Sequence, residues 1–166
     1  MNKRIGLLLN DMILYERKNV NRIDHTMKVL SFAKAIAACE NIDNATTEIL
    51  KIACVLHDIG IRQCINKYNR SNGTFQEIEG PAIARKMMAK HKIPKNVMDR
   101  VCFLIAHHHT YNRVDGIDYQ ILIEADMIVN MYEDNYSYQK IIETKNKYFK
   151  TKTGISYVDN LYLLNL

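Results

Sequence analysis

Several ionisable residues stand where helical periodicity calls for apolar ones. Positions three and four apart share a helix face. His25 heads one such stripe, followed by Val29, Phe32, Ile36 and Cys39. Leu50, Cys54 and His57 form a second, with Asp58 beside it and Gly60 closing it. Val97, Val101 and Leu104 lead to His108, and Asp126 interrupts a face built from Tyr119, Leu122, Ile123, Val129 and Asn130. Glu79 lies one turn before Ile83 and two before Met87. An ionised carboxylate buried without a partner costs several kcal/mol. Asp126 therefore needs a cation, a network of donors or a shifted pKa. One histidine on an apolar face is ordinarily a hydrogen-bonded core residue. Its recurrence on several helices points to a shared ligand. Imidazole and carboxylate together suit a borderline or hard divalent ion such as Zn, Fe, Mn or Co, and that ion would offset the cost of burying each ligand.

The elements that must position these residues are helices. Helical periodicity predicts segments near 3–17, 20–39, 43–57, 77–91, 95–108, 117–133 and 136–149, with a shorter one near 156–164. No alternating segment is long enough to predict a strand. The stretch from Ile61 to Thr74, around Ser71-Asn72-Gly73, reads as a loop, and a second break spans His109 to Gly116. Pro81 and Pro94 are both expected near helix starts, where a missing N–H costs little. The fold expected is all-α, a single compact helical domain over residues 1–166.

Composition narrows the function classes. The chain has 166 residues, 48% hydrophobic and 25% charged, which is ordinary globular composition and argues against disorder. A chain of this length can bury a real core without disulfides. Lys and Arg number 23 against 18 acidic residues, a net charge of +5. That mild excess favours a phosphorylated substrate without calling for nucleic acid. The four cysteines are scattered with no Cys-x-x-Cys pair, which predicts reduced thiols and a cytoplasmic protein. The apolar run Ile5 to Leu9 is too short for a signal peptide, and no stretch could span a membrane.

The ordered set His25, His57-Asp58 and Asp126 resembles the metal-ligand pattern of the HD superfamily of metal-dependent phosphohydrolases. The resemblance covers roughly residues 20 to 133. Arg22-Ile23-Asp24-His25 is similar to the Arg-x-x-His opening of the family's first motif helix. Ala53-Cys54-Val55-Leu56-His57-Asp58-Ile59-Gly60 resembles its apolar run into His-Asp with a following glycine, and Glu124-Ala125-Asp126 its Ala-Asp context. Some members hold a second ion with further histidines, and His107-His108-His109 lies where such a pair is expected. Two departures stand out. Where two-metal members often carry a histidine a few residues before a glycine, this chain has Phe75-Gln76-Glu77-Ile78-Glu79-Gly80. Glu79, or else Glu77, is the candidate oxygen ligand there. Where many relatives carry a lysine directly after the glycine, this chain has Ile61-Arg62.

The resemblance implies an HD-type helical domain that hydrolyses a nucleotide or other small phosphoester. A water deprotonated on the metal would be the nucleophile. His25, His57, Asp58 and Asp126 would hold the first ion, with Asp58 and His57 at the reacting centre. His107, His108 and Glu79 would serve a second ion, the metal being Fe, Mn, Co, Ni, Zn or Mg. Arg22, Arg62 or Lys67 would neutralise the phosphate, and His109 with the loop after it would form a rim that contacts substrate. The expected partner is a small phosphorylated substrate, with neither membrane nor nucleic acid; homodimerisation is left open. A di-iron centre that activates dioxygen and a non-catalytic ligand-sensing module are the competing readings.

Overall fold

The computed structural model describes residues 3–164, and among them all regular structure is helical. The helices are α1 (Lys3–Glu16), α2 (Val20–Cys39), α3 (Asn44–Leu56), α4 (Ile61–Tyr68), α5 (Gly73–Lys90), α6 (Lys95–Ile105), α7 (Ile117–Glu133), α8 (Tyr138–Tyr148) and α9 (Lys152–Val158). A short π-helical segment, Asp159–Leu163, continues α9. Side-chain caps fix many of the starts. Asn19 accepts from the Arg22 N–H, Asp43 from Ala45 and Thr46, Asn72 from Phe75, Ser137 from Lys140 and Thr151 from Gly154. Each satisfies a donor that the helix itself leaves unpaired.

The centre of the fold is α7. Every residue from Asp118 to Val129 is buried, so between its exposed first residue and its last turn this helix has no solvent face. It packs on α2, α3 and α9, while α3 also meets α1 and α6, and α5 lies between α4 and α6. The buried apolar residues of α1, α2, α3, α5, α6 and α7 join in one core with Ile141, Phe149 and Val158. Asp126 is carried into this core because its helix is enclosed on all sides.

Two expectations need correction. The stretch after Gly60 is a helix, α4, for most of its length. Its apolar residues Ile61, Cys64, Ile65 and Tyr68 do have helical spacing, and only the four residues from Asn69 to Asn72 form the break before α5. Pro81 stands in the middle of α5, not near a start. It deprives the Glu77 carbonyl of its helical donor. The other predicted helices occur with shifted ends, and two of those shifts matter. α3 stops at Leu56 and α6 at Ile105, so His57-Asp58 and His107 to His109 lie in the turns that follow.

Gly60 holds one of those turns in place. Its φ is −72°, which any residue adopts, so the need for glycine is one of space. A Cβ there would lie 2.9 Å from both the Gln76 carbonyl oxygen and the Gly80 backbone nitrogen. Backbone packs directly on backbone, and neither side can give way. Gly60→Ala should therefore destabilise the fold by about 1–3 kcal/mol, the usual cost of overpacking. A lowered denaturation midpoint in urea is the readout, and an unchanged midpoint would contradict the close contact.

Candidate metal centre

Four elements converge on one point. α2 supplies His25, the turn after α3 supplies His57 and Asp58, the turn after α6 supplies His108 and His109, and α7 supplies Asp126. His25 Nε2 and His57 Nε2 face each other at 3.3 Å. Asp126 Oδ1 lies 3.1 Å from His25 Nε2 and 3.6 Å from His57 Nε2. Asp58 Oδ2 approaches the same two nitrogens at 3.6 and 3.5 Å. The other oxygen of Asp58, Oδ1, stands 3.6 Å from His108 Nε2. The ligand atoms thus form two groups that share Asp58, one with His25 and His57 and one with His108 and His109.

The second nitrogen of each ring fixes what the first can do. His57 Nδ1 donates to the Cys54 carbonyl at 2.8 Å, and His108 Nδ1 to the Ile105 carbonyl at 2.7 Å. His25 Nδ1 donates to Glu133 Oε2 at 2.8 Å. A carbonyl or carboxylate can only accept, so each Nδ1 carries the hydrogen and, in the neutral ring, Nε2 presents a lone pair. Lone pairs and carboxylate oxygens then point at one another. His108 Nε2 is buried with no hydrogen-bond partner among the described residues. This donor set fits a divalent cation, which would satisfy the orphaned nitrogen and the facing lone pairs together.

The field at the site calls for positive charge. Burial opposes a charged His25, yet the hydrogen bond and charge of Asp126, with Asp58 and Glu133, raise its pKa to about 9. His57 is raised as well, against its burial, by Asp58 and Asp126. Burial would lift the carboxylates, but His57 and His108 hold Asp58 below the usual range, and His25 and His57 do the same for Asp126. Burial, and then neighbouring His108, bring His109 down to about 4, which keeps that ring neutral and able to coordinate.

Supporting contacts set the orientation. Asn130 Nδ2 donates to Asp126 Oδ2 at 3.0 Å, which turns Oδ1 toward the histidines. Lys28 Nζ holds Glu133 at 3.2 Å. Glu77 Oε1 accepts from the His109 N–H at 3.0 Å and the Thr110 hydroxyl at 2.9 Å, tying the histidine turn to α5. Gln76 Oε1 lies 3.0 Å from His109 Nε2. The cluster opens into a cavity of about 410 Å³ lined by His25, Asp58, Asp126, His109, Arg22 and Gln76, among others.

Not every candidate reaches this point. Glu79 is held by Lys67 Nζ and the Tyr68 hydroxyl, each at 2.7 Å, because α4 covers the face it occupies. The same contact takes Lys67 away from the cavity. His107 turns aside: its Nδ1 donates to the Phe103 carbonyl at 2.7 Å, and its ring lies on that of Phe103. Arg62 donates to the Tyr15 carbonyl and lies over the Tyr15 ring. Of the three proposed phosphate cations, Arg22 lines the cavity, its Nη1 fixed by Glu16 Oε2 at 2.6 Å. His109, expected at the rim, belongs to the second ligand group. Sequence reading missed Glu133, Gln76 and Glu16. The i to i+4 spacing of Asp126 and Asn130 was visible, whereas Glu133 and Glu16 gave no signal because each meets its partner only across helices.

The fold and this cluster define a helical domain built around a His/Asp site suited to divalent metal. The HD domain family matches residues 22–142, and the chain belongs to that family. The fold is similar to that of a predicted HD superfamily hydrolase from an uncultured Thermotogales bacterium, with a TM-score of 0.69 and 21% identity over 93% of this chain and 83% of that one. No curated protein matches the sequence. No helix among the described residues is long and apolar enough to cross a membrane.

The purified protein should carry a divalent transition metal measurable by plasma mass spectrometry. Alanine at both His57 and Asp58 should abolish its retention. Full occupancy in that double variant would rule the cluster out as the metal centre.

Proposed function

We propose that this protein hydrolyses a small phosphoester at a pair of divalent ions. The observation that carries the reading is the division of Asp58, whose two oxygens face opposite imidazole groups. A carboxylate so placed suits a bridge between two ions, which in two-metal sites stand about 3.5–4 Å apart. His25, His57 and Asp126 would complete the first site, and His108 and His109 the second. Glu79 and His107 have no part in it.

When bound, such ions supply Lewis acidity to a phosphoryl oxygen and a nucleophilic water at neutral pH. The protein's own residues do the rest. Asp58 positions the ligands of both sites relative to each other. Asn130 and Glu133 hold Asp126 and His25 in their coordinating orientations. Arg22 offers a guanidinium to the phosphate and is held for that role by a carboxylate, Glu16, on the neighbouring helix. Gln76 offers an amide that can turn to accept or donate at the second site.

Chelator-sensitive release of phosphate from a panel of phosphate esters is the test. Asp58→Ala should lower that rate by about a thousandfold or more, since one change removes both a ligand and the bridge. His108→Ala should lower the metal content from two ions per chain toward one while the first site stays filled. Activity that survives exhaustive chelation would refute the reading, and metal-dependent oxygen uptake in place of phosphate release would mark an oxygenase.

A further inference from the structure

Helix α1 is apolar on two opposite faces. Ile5, Leu8, Leu9 and Met12 form the stripe that joins the core. Leu7 and Leu14 are seven residues apart, close to two full turns, and helical geometry sets both on the side opposite that stripe. Leu14 is 59% exposed, and Leu7 and Ile13 are each 37% exposed. Val20, which opens α2, is 69% exposed, and its neighbours Asn19 and Asn21 line the metal cavity, so this face adjoins the mouth of the centre. Single exposed leucines are common on proteins. Here four of the twelve large apolar side chains exposed among the described residues fall within residues 7–20. The polar residues around them are basic. Lys3 and Arg17 lie along one flank of the two leucines and Arg4 along the other, and Lys18 follows in the turn. All four are exposed, and none pairs with a carboxylate among the described residues. The acidic residues of α1 are already taken. Glu16 is buried against Arg22, and Asp11 is held by Lys90 and His91.

We infer that the outer face of α1 docks this protein on an anionic lipid surface. The two leucines enter the headgroup boundary, and the four basic residues meet lipid phosphates and carboxylates. Aliphatic side chains at the centre of a helix face with cations at its edges are the pattern of a helix that lies in a membrane interface. Long basic side chains can bury their stems beside the leucines and keep their charges among the headgroups. The absence of a spanning helix has no bearing on such a surface contact. Charge decides against a second copy of this chain, because pairing two such faces would bring eight cations together with no exposed carboxylate on α1 to meet them. An acidic protein would answer the charge, but protein interfaces centre on tyrosine, tryptophan and arginine packed into shaped pockets. The exposed apolar residues here are all aliphatic and sit on a convex helix, and lipid accepts those without a matching shape. Each basic residue near an anionic leaflet adds about fivefold in affinity. The contact is therefore reversible and weakens as salt shortens the reach of charge.

Co-sedimentation of the full chain with lipid vesicles tests this, comparing phosphatidylcholine alone with phosphatidylcholine and phosphatidylserine in equal parts. The partition coefficient should be about tenfold or more higher for the mixed vesicles at low salt, and the gain should vanish at high salt. A double variant, Leu7→Ser with Leu14→Ser, should lower binding to the mixed vesicles about tenfold, and so should Lys3→Gln with Arg4→Gln. All four side chains face solvent, so the urea midpoint and the metal content of both variants should match the wild type, which shows that they fold. Equal binding to the two vesicle types overturns the docking surface, and so does binding that persists in both double variants. Binding that needs the basic residues and ignores the leucines would mark a general anion patch and overturn it too. A dimer that the leucine variant loses, in a chain that does not bind vesicles, would give the face to a second copy instead.

Discussion

Two carboxylates and two imidazole nitrogens meet at one buried point, and the rest of the molecule is arranged around that meeting. His25 and His57 bring lone pairs to within 3.3 Å, with Asp126 and Asp58 beside them. Such an arrangement is repulsive when every ring is neutral and favourable when positive charge lies among them. The helices answer by fixing the outer nitrogen of each ring. His57 and His108 do so through the carbonyl three residues back, a contact that the turn after a helix end makes available. The ends of α3 and α6 thus leave the Cys54 and Ile105 carbonyls to the two rings. One more turn of helix would commit those carbonyls to the backbone ladder.

Much of this was legible in the residues. Polar groups on apolar stripes marked His25, His57, Asp58, His108 and Asp126, and the structure brings all five together. The periodicity also gave the all-helical fold and most of its segments. The signal worked because a buried charge is costly enough to be rare. A residue that breaks a hydrophobic face is thus informative before any neighbour is known.

What the sequence did not yield has physical causes. Glu79 shared a face with Ile83 and Met87, but the unrecognised helix α4 lies across that face and supplies Lys67 and Tyr68 as partners. A helix of eight residues flanked by Gly60 and Ser71-Asn72-Gly73 carries too few apolar positions to stand out from a loop. Three consecutive histidines in a turn point in different directions, and spacing alone could not decide that His109 lies beside His108 and Asp58 while His107 stacks on Phe103. Glu133 and Glu16 act across helix interfaces, where sequence distance carries no information.

The contact at Gly60 has a mechanical consequence. With the backbone of the His-Asp turn seated on the backbone of α5, no compressible side chain lies between them. The turn and the helix that bears Gln76 and Glu77 must move as one rigid body. Glu77 in turn anchors the turn of His108 and His109, so one whole side of the centre has no compliance of its own. Clearance for an incoming ligand has to come from the opposite side. There the cavity is bounded by Asn19, Asn21 and Arg22 at the head of α2 and by Glu133 and Asp134 at the tail of α7.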